Sequence, residues 1–446
     1  MPTFLSQKIL SSNLLSLVLA MFPASFIAGN MIINLNLLII VLLTVFIYKK
    51  EIVNIELFFL DKLFISFFSL IILSGFINDF KFFTNDLEWK GYFSTIIKSI
   101  SFLRYLIFYF IIRFLIEQNK ITLKFFFISC AICSLFVSFD IFYQLFFGKD
   151  IFGFVATGRK LSGPFGDELI AGSFLQRFSI FSFFLLSIFF TIRNNKYLKF
   201  YFVLLFIIFF FAIIFSGNRM PLVLFVLAIF SILIFKKNIR KYFFSLLIAL
   251  IVIFSIAFNF NAKVNINFSV FYNQLHNTIL VITNSLNNNE KNYSVPQHLK
   301  EFYSFYHTWQ INKYIGGGIK NFRYYCHIRD MGDTNSPFYH EQGCNMHPHN
   351  YYLEILTETG LFGFFLFLFI VFNITKISLF RNKIIYFSFL NNNLKFMPFF
   401  ILFFIEIFPI KSTGSFFTTG NSTYLFLLMG VLIALVRKDN SIEKIR

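Results

Sequence analysis

The residues best suited to chemistry lie just before an apolar helix. His347 and His349 belong to the stretch CNMHPHNYYLEILTETGLFGFFLFLFIVF, which starts at Cys344 and ends as an apolar run at Phe372. A neutral imidazole can take a proton from a hydroxyl group near neutral pH, so a histidine here could act as a general base. The alternative is an interfacial histidine with no catalytic role. If a helix begins near Asn350, His349 sits at its cap, and Asn350 could orient the ring.

Two arginines could bind an anion. Arg219 follows the turn Ser216-Gly217-Asn218 and precedes Pro221, a residue suited to the first turn of a helix. An arginine is unfavourable at a helix N-terminus unless an anion also binds there, and the alternative is a guanidinium that snorkels to the membrane interface. Arg177 lies about two turns into another apolar run, where a charge faces either a wet cavity or a partner in a buried ion pair.

The region before His349 carries two cysteines and a glycine turn. Cys326 and Cys344 favour a disulfide in an oxidising compartment. Zinc binding together with the nearby histidines is the alternative, but the spacings match no standard zinc site. The glycine run 316–318 allows a tight turn or a close backbone approach, but it fits neither a dinucleotide-binding motif nor a P-loop, and we interpret it as a flexible loop.

The elements that must position these residues are membrane helices. The chain has 446 residues, of which 57% are hydrophobic and 13% charged, too few polar side chains to cover a soluble domain of this size. Apolar runs of the length that spans a ~30 Å hydrocarbon core recur along it. The sequence predicts an all-α polytopic membrane protein with about twelve transmembrane helices. The predicted spans are 9–28, 31–48, 57–77, 94–116, 121–147, 169–192, 200–216, 220–235, 242–260, 351–373, 384–410 and 421–436.

The distribution of positive charge predicts the orientation. With both termini inside, the inner segments carry 20 lysines and arginines and the short outer segments carry 7. This bias accounts for most of the net charge of +18 without nucleic acid. It also places one large loop, 261–350, and all seven histidines at the extracytoplasmic face. The polar segment 78–93 suits a helix lying at the outer interface or an ordinary loop.

Several of these motifs together resemble the O-antigen ligase and polymerase family. A histidine followed by Asn350 and YLEILTETGLFG, a preceding outer loop with IGGGIKNF, the SGNRMPL turn and the segment LSGPFGDELIAGSF all carry the resemblance. It covers roughly residues 150–375. We therefore divide the chain into N-terminal helices at 1–150, a ligase-like core at 151–375 and C-terminal helices at 376–446.

The resemblance implies a fold similar to the C-type glycosyltransferases and an enzyme of the bacterial inner membrane whose active site faces the periplasm. Such enzymes move a glycan from undecaprenyl diphosphate to a sugar hydroxyl, without a metal or other cofactor. Carried over by match, His349 would activate the acceptor hydroxyl and Arg219 would hold the donor diphosphate. Many members have a second arginine shortly before the glycine turn. Here Lys300, Arg323 or Arg159 could replace it.

Three functions remain open from the sequence. A ligase would attach the glycan to a lipid A core, whereas a polymerase would join two lipid-linked glycans. A flippase for lipid-linked oligosaccharides, or another transporter, would favour internal repeats and charges along a central path, and neither pattern is evident.

Overall fold

The protein is a bundle of α-helices. The computed structural model describes residues 2–84, 93–156, 160–190, 195–235, 243–287, 295–329, 344, 348–381, 384–385, 395–411 and 414–444. The helices are α1 (Pro2–Ala20), α2 (Phe22–Ala28), α3 (Asn30–Val53), α4 (Phe59–Thr84), α5 (Ser94–Glu117), α6 (Lys124–Phe147), α7 (Ala171–Phe189), α8 (Asn195–Ser216), α9 (Arg219–Phe235), α10 (Phe243–Phe260), α11 (Ala262–Asn287), α12 (Gln297–Ile311), α13 (Phe322–His327), α14 (Tyr351–Leu379), α15 (Phe396–Glu406) and α16 (Thr419–Lys444).

Most of the predicted spans are present as apolar helices, which makes this a multi-pass membrane protein. Within the described residues, nine helical segments are long and apolar enough to cross a membrane, and a bent pair raises the number to ten. The nine are Ser11–Ala28, Asn30–Val53, Phe59–Lys81, Ser94–Glu117, Lys124–Phe147, Ala171–Phe189, Lys196–Ser216, Tyr351–Leu379 and Thr419–Lys438. The predicted count of twelve is therefore not confirmed.

The difference in number comes from two shorter helices. α9 has 17 residues and α15 has 11. At a rise of about 1.5 Å per residue, α15 is roughly 16 Å long, well short of a ~30 Å core. The predicted span 384–410 is wrong in extent, because Ile384–Ile385 is a short strand paired antiparallel with Phe380–Arg381. α15 begins only after the polar run that ends at Lys395, which could not enter lipid cheaply.

The region predicted as one large loop contains further helices. The chain bends by 112° between α10 and α11, near Asn261. It then continues as α11, a helix of 26 residues. α11 buries Val264 and Val281 and exposes Tyr272, and such a two-sided pattern favours a helix lying against the bundle. α12 and α13 follow, so the described part of this region is largely helical, and one large loop over 261–350 is not confirmed.

Aromatic packing forms much of the core. α5 packs between α4 and α16, and the rings of Phe68, Phe102 and Phe426 meet at this junction. A buried ion pair joins Asp61, near the start of α4, to Arg113, near the end of α5, and fixes that end of the two helices. The core thus sets the relative positions of the helix ends that carry the polar residues described below.

Candidate active site

The glycine run 316–318 is hydrogen-bonded to α14, so its interpretation as a flexible loop is wrong. We call this turn, together with the part of α14 that it contacts, the glycine lock. α14 is interrupted at Gly360, whose φ is +67° and ψ −170°. The amides of Gly317 and Gly318 donate to the carbonyls of Thr357 and Glu358 at 3.0 and 2.9 Å. These carbonyls lie next to the break, so the turn supplies the donors that the interrupted helix lacks. The segment before the glycines and α14 are therefore held as one unit.

The fit of this lock depends on the absence of side chains. A Cβ at Gly316 would lie 2.4 Å from the backbone of Glu358, and one at Gly360 would lie 2.3 Å from the backbone of Tyr314. In return, the amide of Phe362 donates to the carbonyl of Tyr314 at 3.2 Å. The two backbones approach as closely as glycine permits.

The glycine lock is also tied to α4 and α5. The side-chain amide of Asn78 donates to the Gly316 carbonyl at 3.0 Å, and the side-chain amide of Asn321 donates to the Thr95 hydroxyl at 2.8 Å. Asp79 accepts from the amides at the start of α5. Asn78 and Asp79 are buried within α4, so the first part of the polar segment 78–93 is a continuation of that helix. A helix lying at the interface is wrong for residues 78–84, and residues 85–92 lie outside the described part.

His349 lies at the start of α14 in an unusual backbone conformation. Its φ of +50° is in the left-handed region, which is uncommon for residues other than glycine and often marks a functional position. Asn350 fixes the helix start, because its Oδ1 accepts from the amides of Tyr352 and Leu353 at 3.0 and 3.2 Å. The Asn350 amide group donates to the carbonyl of Pro409 at 2.7 Å. Asn350 therefore positions the backbone that carries His349.

A buried carboxylate next to this helix start organises three side chains. Glu406 at the end of α15 pairs with Arg177 at 2.7 Å and with Lys411 at 2.6 Å, and it accepts the Tyr351 hydroxyl at 2.6 Å. The side chain of Glu406 is fully buried, and those of Arg177 and Lys411 are 11% and 4% exposed. The structure thus places Arg177 in a buried ion-pair network, the second of the two alternatives drawn from the sequence.

The pKa of Lys411 reflects this environment. Lys411 lies in the loop after α15, and its burial lowers the pKa of its ammonium group to about 8, although the Glu406 carboxylate opposes the shift. Two cations share one carboxylate here, so the network carries an excess of positive charge when all three groups are ionised.

The two glutamates of the LEILTE stretch, Glu354 and Glu358, are buried on α14. Glu354 accepts from the Ser415 hydroxyl and the Phe416 amide, which ties α14 to the loop before α16. Glu358 is 3% exposed, and within the described part of the chain its Oε2 has no hydrogen-bond partner. Contacts to residues 406–416 therefore hold the first turns of α14 through Asn350, Tyr351 and Glu354.

Arg219 lies at the first residue of α9, as its sequence context predicts. The preceding turn is fixed by Asn218, which accepts from the Gly172 amide at 3.1 Å and donates to the Leu169 carbonyl at 3.0 Å. Arg219 Nη1 donates to Gln274 Oε1 on α11 at 2.8 Å. Gln274 is neutral, so this contact orients the guanidinium without cancelling its charge. Sequence reasoning missed Gln274, because it lies in the region predicted as a loop.

The turn that carries Arg219 and the start of α14 are joined through α7. The N-terminus of α7 contacts Asn218, and Arg177 farther along α7 reaches Glu406, which in turn holds Tyr351. The helices α7, α9 and α14 begin at this end of the bundle and α15 ends there; we call it the site end. The structure thus brings the Arg219 turn and the His349 stretch to the same end.

A second histidine lies beside His349. The ring of His298, in the first turn of α12, has its centroid 6.0 Å from that of His349, with the ring planes at 84°. His298 Nδ1 is 3.2 Å from Glu301 Oε2, and the Glu301 side chain is 4% exposed. His307 on the same helix instead contacts the ring of Tyr303 at 4.3 Å. The sequence analysis did not single out His298; its spacing of three from Glu301 was the available signal.

The predicted replacements for the second arginine are distributed around this region. Lys300 is half-buried on α12, and Arg323 is exposed on α13. Arg159, His340 and His347 lie outside the described residues. The structure does not bring Lys300 or Arg323 into a described contact with Arg219.

Cys326 and Cys344 are joined in a disulfide, with their Cα atoms 5.3 Å apart. The two cysteines pack with Phe305 and Phe322 in a small apolar cluster. Disulfide sulfurs are not thiolates, the form in which cysteine binds zinc. The bond ties α13 to the segment that leads to His349.

Comparison with known proteins identifies a family. Residues 203–368 match the family model described as O-Antigen ligase, and the match includes Arg219, the glycine run and His349. This confirms the family resemblance over a part of the stretch that carries it. No curated protein matches the chain.

Proposed function

We propose that this chain, which matches the O-antigen ligase family model over residues 203–368, transfers a glycan from undecaprenyl diphosphate to a sugar hydroxyl of a lipid A core. Members of the family are glycosyltransferase-like enzymes, and a bilayer-embedded member suits lipid-linked glycan substrates. The observation that carries the proposal is the site end. A histidine and an arginine from distant parts of the chain both stand at helix starts there, on a scaffold joined through Arg177 and Glu406.

In this proposal His349 is the general base. It removes the proton of the acceptor hydroxyl, and the oxygen forms a bond to the anomeric carbon of the donor sugar. The bond from that carbon to the diphosphate breaks, and the diphosphate leaves with the electron pair. Fixed positive charge at Arg219 stabilises this leaving group, so the step needs neither a protonated leaving oxygen nor a metal.

The location of the site end follows from the substrates. The donor is anchored in the bilayer by its polyprenyl chain, so its diphosphate lies at headgroup level. The acceptor is itself lipid-anchored and arrives from the periplasmic side of the inner membrane. We place the site end at that face because of the charge bias of 20 against 7. Reporter fusions at residue 290 and at the C-terminus should then give opposite signals.

The second phosphate contact belongs to the same proposal. Lys300 on α12, Arg323 on α13 and Arg159 are the candidates that we propose to supply it. Arg177 is a weaker candidate for substrate binding, because Glu406 already pairs with its guanidinium.

The alternative is a polymerase that joins two lipid-linked glycans. It shares the donor chemistry and differs in the acceptor, and the family covers both activities. Purified protein in liposomes should be given a defined undecaprenyl-diphosphate-linked glycan with either a lipid A core or a second lipid-linked glycan. Transfer to the core alone supports the ligase, and transfer to the lipid-linked glycan alone supports the polymerase.

The His349→Ala variant tests the mechanism in the same assay. Loss of a general base typically costs about 10²–10⁴-fold in rate, so we expect transfer to fall by that factor while donor binding is kept. A His349→Ala enzyme within about threefold of the wild type would remove this histidine from the mechanism.

A further inference from the structure

The environment of His349 contains a second imidazole that the family motifs do not explain. His298 belongs to α12, about fifty residues earlier in the chain, and its ring stands perpendicular to that of His349 at 6.0 Å between centroids. Its side chain is 48% exposed, so water reaches it. The separation permits contact through one bridging water, a distance over which proton transfer in active sites is common.

The contact between His298 and Glu301 favours one tautomer of the second imidazole. Glu301 Oε2 lies 3.2 Å from His298 Nδ1, and the carboxylate itself is almost fully buried. An ionised carboxylate only accepts hydrogen bonds, so Nδ1 carries the proton in the neutral ring and Nε2 is left as the basic nitrogen. A base whose other nitrogen is held by a carboxylate is the arrangement found in many proton-transferring sites.

We propose that His298, oriented by Glu301, is a positioning residue that receives the acceptor proton through His349. This rests on the proposed function above. The hydroxyl proton moves to one ring nitrogen of His349 as the new glycosidic bond forms and the diphosphate leaves. The proton on the other nitrogen of His349 passes to Nε2 of His298, directly or through water. The resulting imidazolium is stabilised by the Glu301 carboxylate and later loses its proton to solvent.

The physical reason for such a partner is the location of the base. The positive charge that develops on His349 lies at the same end of the bundle as Arg219, Arg177 and Lys411, which all disfavour a further cation. Moving the charge onto His298 places it against a carboxylate and nearer to water. Glu301 thus stabilises the positive charge of the transferred proton, as Arg219 stabilises the negative charge of the diphosphate.

The test compares histidine variants in the reconstituted transfer assay. His298→Gln keeps a polar side chain of similar reach but cannot carry a proton. We expect its kcat to fall at least about tenfold with the KM for donor unchanged, a smaller loss than the ~10²–10⁴-fold expected for the base itself. Because His298 is half-exposed, added imidazole should restore part of the activity of His298→Ala. Glu301→Gln, which removes only the charge, should also lower kcat.

His307→Ala is the matched control. It removes a histidine from the same helix that contacts Tyr303 instead of His349, so it should transfer like the wild type and gain nothing from imidazole. A purely structural role for His298 would give losses that imidazole does not repair.

The outcomes separate this inference from the proposed function. If the wild type transfers glycan and His349→Ala does not, but His298→Gln is within about threefold of the wild type, the inference is overturned alone. Lack of imidazole rescue of His298→Ala would overturn it as well. If the wild type transfers to neither acceptor, the proposed function fails and the inference fails with it.

Discussion

Removing the Glu406 carboxylate should be among the most destabilising single changes in this protein. The carboxylate is fully buried and serves two cations, Arg177 and Lys411, which are 11% and 4% exposed. Breaking a buried ion pair by removing one partner costs about 3–5 kcal/mol, because the other charge is left buried and uncompensated. Two cations are left here, so Glu406→Ala should lose at least that much. At 1.4 kcal/mol per factor of ten, this is about 10²–10⁴-fold in the folding equilibrium.

The assay is the half-life of the folded protein in detergent at one fixed temperature, since membrane proteins rarely unfold reversibly. Glu51→Ala is the matched control, because the Glu51 carboxylate pairs with Lys120 at a similar distance, 2.7 Å. The Lys120 side chain is 11% exposed, as is that of Arg177, but the Glu51 side chain is 54% exposed whereas that of Glu406 is fully buried. That change should cost at most about 1 kcal/mol.

A compensated variant tests the cause. If uncompensated charge is responsible, replacing all three groups by apolar residues (Glu406→Leu, Arg177→Met and Lys411→Met) should be more stable than Glu406→Ala alone. The reasoning is refuted if Glu406→Ala is as stable as Glu51→Ala, or if the triple variant is less stable than the single one.

Three further predictions follow from single sites. Arg219→Ala should abolish transfer and weaken donor binding while Arg219→Lys recovers only part, because lysine lacks the two-pronged guanidinium; normal donor turnover by Arg219→Ala in the liposome assay would contradict this. Gly316→Ala should destabilise the protein more than Gly148→Ala, since both positions have a φ near +75° but only at Gly316 does a Cβ meet backbone, at 2.4 Å; equal half-lives in detergent would contradict the lock. Cys326 and Cys344 should appear as a linked peptide pair in non-reduced mass spectrometry of protein matured outside the cytoplasm, and two free thiols there would rule the disulfide out.

The helices themselves could be predicted well because their signals are local. The length of an apolar run directly predicts the length of the helix that it forms. The predicted span 94–116 therefore agrees with Ser94–Glu117, and 121–147 nearly agrees with Lys124–Phe147. The helix that begins at residue 262 was missed for the same reason. Its polar residues lower the average hydropathy, and only its two-sided pattern distinguishes it from a loop.

The contacts that shape the site could not be predicted in the same way. Arg177 and Glu406 are both single charges within apolar runs, which is a signal that each needs a partner, but only the packing of α7 against α15 shows that they pair. The interruption at Gly360 likewise depends on a turn more than forty residues earlier in the chain. Glycines in both segments were visible, yet their fit is a property of two backbones brought together.

The glycine lock also decides how the two histidines relate. α12 carries His298 and leads within a few residues into the turn whose amides bind the interrupted part of α14, and α14 begins just after His349. α12 packs along α14, so the two rings belong to one unit whose geometry is set by backbone hydrogen bonds rather than by flexible side chains. Arg219 is held separately, by Asn218 against α7 and by Gln274 on α11. Loosening the lock with Gly316→Ala should therefore impair proton transfer while the donor still binds, whereas Arg219→Ala should weaken donor binding itself.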